Sequence, residues 1–138
     1  MQIESNQIIN IFNMIKEYDD VTAKHCIRVS MIAGKMFDYV DADATKIRIA
    51  GLIHDIGKIK IPYELIIKPG KLTPAEKIIV DQHSILGYQM LKQAGIDPEI
   101  CAFELLHHNL DNISVINDVK INDMFINQVN VLRAADIM

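Results

Sequence analysis

Long apolar runs, a basic surplus, paired cysteines and strand-like alternation are all missing from this chain, and each absence removes a class of protein. Its two cysteines, Cys26 and Cys101, are far apart and in no CxxC spacing. That excludes a disulfide framework and suits reduced thiols buried as small apolar side chains. No apolar stretch approaches the roughly 20 residues of a membrane-spanning helix. The start, MQIESNQIIN, has neither a basic segment nor a signal-like apolar core. The expectation is a soluble, cytoplasmic chain, or one cut from a larger protein, with no membrane partner. With 14 basic and 18 acidic residues the formal charge is −4. A non-specific nucleic-acid binder would show a basic face, so no duplex partner is expected. A small phosphorylated ligand remains open, since one lysine or a metal binds it locally. Glycine and proline are few and fall at punctuation points, so there is no linker, repeat or low-complexity stretch. The 138 residues, half of them hydrophobic, fit a single domain over 1–138 with one sizeable core.

What is present is helical periodicity. Apolar residues recur at spacings of three and four, which predicts an all-α bundle of about five to seven helices. A first helix is expected over 3–18, with Ile8, Phe12 and Ile15 on one face. The second runs over 20–39, with Val21, Val29, Ile32 and Met36 as its stripe, and the third over 44–56. A looser segment broken by Pro62, Pro69 and Gly70 follows. Thr73-Pro74-Ala75-Glu76 reads as a capping box with proline at the first helical position. It opens a helix to about 93, stopped by Gly95; Asp97-Pro98 opens another, to about 109. Residues 111–122 read as polar and irregular, and a last helix begins near 123.

The five histidines fall on apolar faces. His25 lies four residues from both Val21 and Val29; His83 lies between Ile79 and Leu86; His107 follows Phe103 by four. His54 and Asp55 follow the apolar Gly51-Leu52-Ile53, and Asp136 follows Leu132 by four. One inward histidine is ordinarily a satisfied core residue. Several in one small core must each find a polar partner, because an unpaired buried polar group costs roughly 1–3 kcal/mol, and a shared metal satisfies them together. A buried Asp55 needs a cation or several donors; the plain alternatives are a turn cap or a pair with Lys58. His107 and His108 diverge by about 100° on a helix, yet both can reach an ion between them. Five imidazoles and two carboxylates suit two divalent transition metal ions, Fe, Mn, Ni or Zn. With Asp55 bridging, open positions remain for water and substrate.

At His54-Asp55-Ile56-Gly57-Lys58 the chain resembles the HD-GYP branch of the HD superfamily of metal-dependent phosphohydrolases. These are signal-transduction phosphodiesterases acting on cyclic dinucleotides, chiefly cyclic di-GMP. HDIGKIKIP, then KPGKLTPAE and HSILG, carry the likeness, with Thr22, His25 and Arg28 upstream. The resemblance implies that His25, His54 and Asp136 hold one metal, that His83, His107 and His108 hold the other, and that Asp55 bridges. It implies that Lys58 meets a substrate phosphate, with attack on phosphorus by a hydroxide generated at the metals; Asp55 and Lys58 are then the catalytic pair. Lys58 has a plainer reading as an exposed loop lysine.

The chain departs from the family pattern in three places. After the double histidine it reads Asn109-Leu110-Asp111-Asn112-Ile113-Ser114, with Val115-Ile116-Asn117 where GYP would fall. That loop shapes the family's substrate groove. Val21 stands where some members carry a glutamate for a third metal, which argues for two ions at most. The chain stops two residues after Asp136, short of the family's C-terminal helices, as a piece of a longer protein would. Two other functions stay open: a metal-retaining nucleotide-binding or signalling module with weak or lost catalysis, and a single-metal HD nucleotidase using only His25, His54, Asp55 and Asp136. A homodimer or an attached sensor domain is compatible with each.

Overall fold

The computed structural model describes residues 2–38 and 44–137. Its order is α1 (Gln2–Tyr18), α2 (Asp20–Asp38), α3 (Thr45–Ile53), a 3-10 turn (Ile56–Lys60), α4 (Tyr63–Ile66), α5 (Pro74–Asp81), α6 (His83–Gln93), α7 (Pro98–Leu106), a second 3-10 turn (Leu110–Val115) and α8 (Asp123–Ile137). No strand occurs among the described residues. No helix there is long and apolar enough to cross a membrane.

Eight α-helices appear among the described residues, where about five to seven were expected from the periodicity. One extra element is α4, a single turn within the proline-broken segment. The other arises because the helix expected over 73–93 divides at Gln82. There the backbone N–H bonds back to Ile79 O, a tighter i→i−3 turn, before α6 restarts at His83. The start signals form as read. The Thr73 hydroxyl accepts from Glu76 N, and the Glu76 carboxylate accepts from Thr73 N at 2.8 Å. Asp97 caps α7 by accepting from Glu99 N, and Gly95 provides the left-handed stop with φ +75°. The α2 helix is capped by Asp19, whose Oδ2 accepts from both the backbone and the hydroxyl of Thr22. The expected end of that helix near 39 lies outside the described residues.

Two parts of the expected apolar stripes point outward. Val21 is 72% exposed, and the buried face of α2 is instead Thr22, Ala23, Cys26, Val29 and Ala33. Ile79 is also exposed, because α5 ends before His83 and no continuous face joins them. The stretch 111–122 differs in the opposite sense. Ile113, Ile116, Val119 and Ile121 are half-buried against the core, at spacings with no helical period.

The core lies between α2, α3, α7 and α8, around Val29, Ile47, Ile53, Phe103, Val129 and Leu132. α3 packs against α2 and α7, α8 against α2, and α6 against α7 and the first 3-10 turn. α1 lies across α2, α3 and that turn, and the Tyr18 hydroxyl donates to Ile61 O at 2.7 Å. These contacts gather one end of α3, the start of α6, the end of α7 and the last turns of α8.

Candidate metal centre

Two histidines are set by the same local device. His54 and His107 each occupy the position just after a helix, with φ near −62° and −65°. The Nδ1–H of His54 donates to Gly51 O at 2.7 Å, and that of His107 to Glu104 O at 2.6 Å. A carbonyl only accepts, so Nδ1 carries the proton in each ring and Nε2 is turned away from the backbone. His108 follows beyond the end of α7, not on it, so the expected helical divergence is relieved. The two rings lie 4.1 Å apart, centroid to centroid.

Around these the structure gathers all seven side chains singled out from the sequence. The ligand atoms of His25, His54 and Asp136 lie within 4.8 Å of one another, as do those of His83, His107 and His108. Asp136 Oδ1 is 2.7 Å from His25 Nε2 and 3.0 Å from His54 Nε2. Asp55 lies between the groups. Its Oδ2 faces His54 Nε2 at 3.3 Å and His25 Nε2 at 3.9 Å, while its Oδ1 faces His83 Nε2 at 3.8 Å. His108 Nε2 approaches Asp136 Oδ2 at 3.9 Å. The His54 and His107 rings meet edge to face at 5.2 Å, which joins the two halves.

Lys58 is not an open loop lysine. Its Nζ lies 3.2 Å from Asp55 Oδ2, and its side chain is only 24% exposed. The plainer reading of Asp55, a pair with Lys58, is therefore present together with its contacts to the histidines.

Charge follows from this packing. Burial pushes His83 down to about 4. It also carries His107 well below the ordinary histidine value and lowers His108. Burial opposes charge on Asp55 as well, but His54 and Lys58 outweigh it and hold the carboxyl below its usual range. Asp136 is likewise lowered: burial works against it, and hydrogen bonds from His25 and His54 prevail. His54 is raised, since Asp55 and Asp136 overcome the opposing effect of burial.

Two features test whether the residues fit a metal. His107 Nε2 is buried with no hydrogen-bond partner among the described residues, a lone pair left without a donor there. His54 Nε2, its Nδ1 spent on Gly51, converges with carboxylate oxygens of Asp55 and Asp136. Only a proton or a cation relieves three such atoms meeting. The neutral His83, His107 and His108 and the ionised Asp55 and Asp136 are in the protonation states that divalent metals bind, and at His54 an ion would take the place of the proton, so the donor set fits the group.

Sequence reasoning missed two polar neighbours. Glu104, inside the apolar run Ile100 to Leu106, is buried with both carboxylate oxygens unpartnered among the described residues, and burial raises its pKa well above the ordinary value. Cys26 Sγ lies 3.9 Å from Asp55 Oδ2, although its type and spacing read as plain core. The sequence signal for Glu104 was an acid in an otherwise unbroken apolar stretch; for Cys26 it was adjacency to His25. Beside His108 an open cleft of about 330 Å³ is lined by Lys77, Gln82, Ser84, Asn109 and Asn112, among others.

The HD domain family model matches residues 22–138. A cyclic di-GMP phosphodiesterase of Thermotoga maritima is 37% identical over 93 residues, covering 64% of this chain and 25% of that protein. The cyclic di-GMP phosphodiesterase PA4108 of Pseudomonas aeruginosa is 34% identical over 98 residues, 69% of this chain and 24% of its own length. The 3'3'-cGAMP-specific phosphodiesterase 2 of Vibrio cholerae is 28% identical over 90 residues, 63% of this chain and 17% of its length. The chain thus spans a quarter or less of the length of these three relatives. Among solved structures, the HD domain of the L. monocytogenes phosphodiesterase PgpH superposes with a TM-score of 0.68 at 20% identity, over 91% of this chain and 70% of that one. That likeness shows a shared fold.

Proposed function

The chain belongs to the HD domain family, and from that premise we propose that it is a metal-dependent phosphodiesterase acting on a cyclic dinucleotide at a dinuclear site. One observation carries the reading: the two oxygens of a single buried carboxylate, Asp55, face two separate groups of donors, one around the buried His54 and the other around the buried His83 and His107. His25, His54 and Asp136 would hold one ion, His83, His107 and His108 the other, and Asp55 both. Fe, Mn, Ni or Zn suits such a mixed nitrogen and oxygen set. When bound, such ions acidify water and withdraw charge from a phosphate.

The remaining steps fall to the chain's own side chains. Lys58 Nζ, 3.2 Å from Asp55 Oδ2, presents a fixed positive charge at the place where a phosphoryl oxygen would lie, and its role is to offset charge that grows there. The Nδ1–H bonds of His54 and His107 to backbone carbonyls hold both rings in one tautomer and orientation, as outer-shell partners of metal ligands do. The cleft beside His108 offers room for one nucleoside of the substrate. The substrate class is supported by relatives named cyclic di-GMP and 3'3'-cGAMP phosphodiesterases.

The test uses protein purified without a histidine tag. Elemental analysis is expected to give two ions per chain. Addition of Mn²⁺ or Fe²⁺ to a panel of cyclic dinucleotides is expected to give linear dinucleotide product. One ion per chain would favour the single-metal nucleotidase. Two ions without turnover of any cyclic dinucleotide would favour the binding module, which the replaced loop after His108 also motivates.

A further inference from the structure

We propose that Cys26 supplies a sulfur donor to the metal position shared by His54 and Asp55, a role that rests on the dinuclear reading above. Cys26 sits on α2 next to His25 and is completely buried. Its Sγ, a ring nitrogen of His54 and a carboxylate oxygen of Asp55 all lie within 4.8 Å of one another. The Sγ to Asp55 Oδ2 distance is 3.9 Å, long for an S–H···O bond. With His25, His54, Asp136 and Asp55 on the same ion, sulfur is a fifth donor. Bonds of about 2.3 Å for sulfur and about 2.1 Å for oxygen then set the two atoms roughly 3.1 Å apart at a right angle and roughly 3.8 Å apart at about 120°, and the observed spacing matches the wider of the two.

The demand for a cation here does not depend on the cysteine. His54 Nε2 faces two carboxylate oxygens with its other nitrogen already spent. The second cysteine gives the contrast. Cys101 donates to the backbone oxygen of Ile96 at 3.5 Å, as an ordinary core thiol does.

On binding, the S–H bond breaks, sulfur keeps the electron pair as it joins the ion, and the proton passes to water. No electron is transferred. A thiolate softens a site otherwise built of nitrogen and oxygen, which shifts preference toward zinc, cobalt and iron over manganese and magnesium.

Cobalt substitution tests this without reference to activity. Chelator-stripped protein titrated with Co²⁺ is expected to show visible d–d bands together with a near-ultraviolet thiolate-to-cobalt charge-transfer band. Cys26→Ser should keep the d–d bands and lose the charge-transfer band, with Zn²⁺ affinity reduced about tenfold or more and Mn²⁺ affinity little changed. Cys101→Ser should keep both bands. The wild-type spectrum decides even where a variant folds poorly. Stoichiometric Co²⁺ with d–d bands and no charge transfer overturns the sulfur donor and leaves the dinuclear site standing. A charge-transfer band that survives Cys26→Ser and vanishes with Cys101→Ser overturns it too. No stoichiometric Co²⁺ binding overturns both readings.

Discussion

Asp55 and Lys58 touch, at 3.2 Å, yet their replacement should have opposite signatures. Asp55 offers one oxygen to each half of the site. Asp55→Asn keeps the volume and removes the charge that would offset two cations, so metal content should fall at both positions and turnover should vanish. Lys58→Ala removes a cation, not a ligand. It should leave both metals in place and slow phosphodiester turnover by about 2–4 kcal/mol, the worth of a typical transition-state donor. Elemental analysis beside steady-state kinetics separates the two; an Asp55→Asn variant that keeps both ions would sink the bridging assignment. The seven gathered side chains were legible because a histidine or aspartate among apolar residues is chemically out of place and one metal site explains them together, even though Val21 and Ile79, which marked the faces of His25 and His83, turn outward; the role of Lys58 was read from the family resemblance. Cys26 was not legible as anything but core, since a cysteine on an apolar face breaks no rule.

At the scale of elements, the approach of the first 3-10 turn to α6 sets where His83 lies. A Cβ on Gly57 would come to 1.8 Å from His83 O and 2.7 Å from Gly87 N. The backbone φ of Gly57 is not positive; what requires glycine here is close contact. Backbone atoms cannot rotate away, so Gly57→Ala must push α6 off the turn. The cost expected is about 1–3 kcal/mol or more, read as a lowered urea midpoint. Because Asp55 stands two residues before Gly57 and His83 opens α6, the same variant should lose metal from the His83 side first. An unchanged midpoint with two ions retained would contradict this. Helix starts were readable because caps are local chemistry, as at Thr73 and Asp97. The break at Gln82 was not, since no glycine or proline marks it, and the apolar residues of 111–122 have no period to read.

For the whole molecule, the site's buried groups make stability depend on pH with two opposed signs. His83 and His107 are neutral by burial, His83 with a pKa of about 4. Below the unfolded histidine value the unfolded chain binds protons that the fold refuses, so stability falls with acid from about pH 6.5. Glu104 acts the other way. Its folded pKa is raised, burial being the largest cause, so above the unfolded value near 4.5 the fold holds a proton that the unfolded chain releases. In that window stability falls as pH rises, until the folded pKa is passed. Glu104→Gln keeps the shape and removes the titration. Stripped of metal by chelator, the variant should match wild type near pH 4 and exceed it increasingly toward pH 7, by up to about 1.4 kcal/mol per unit of pH within the window. Urea melts at pH 4, 5.5 and 7 measure the difference, and a gap that stays constant across them would refute a buried protonated Glu104. Its location explains why such an acid is tolerable at all. Glu104 stands on α7, the helix that joins α3 to α6, and its own carbonyl oxygen fixes the ring of His107. An apolar side chain at this position would avoid the cost of burying a carboxyl, and Glu104 places that carboxyl one turn before the double histidine.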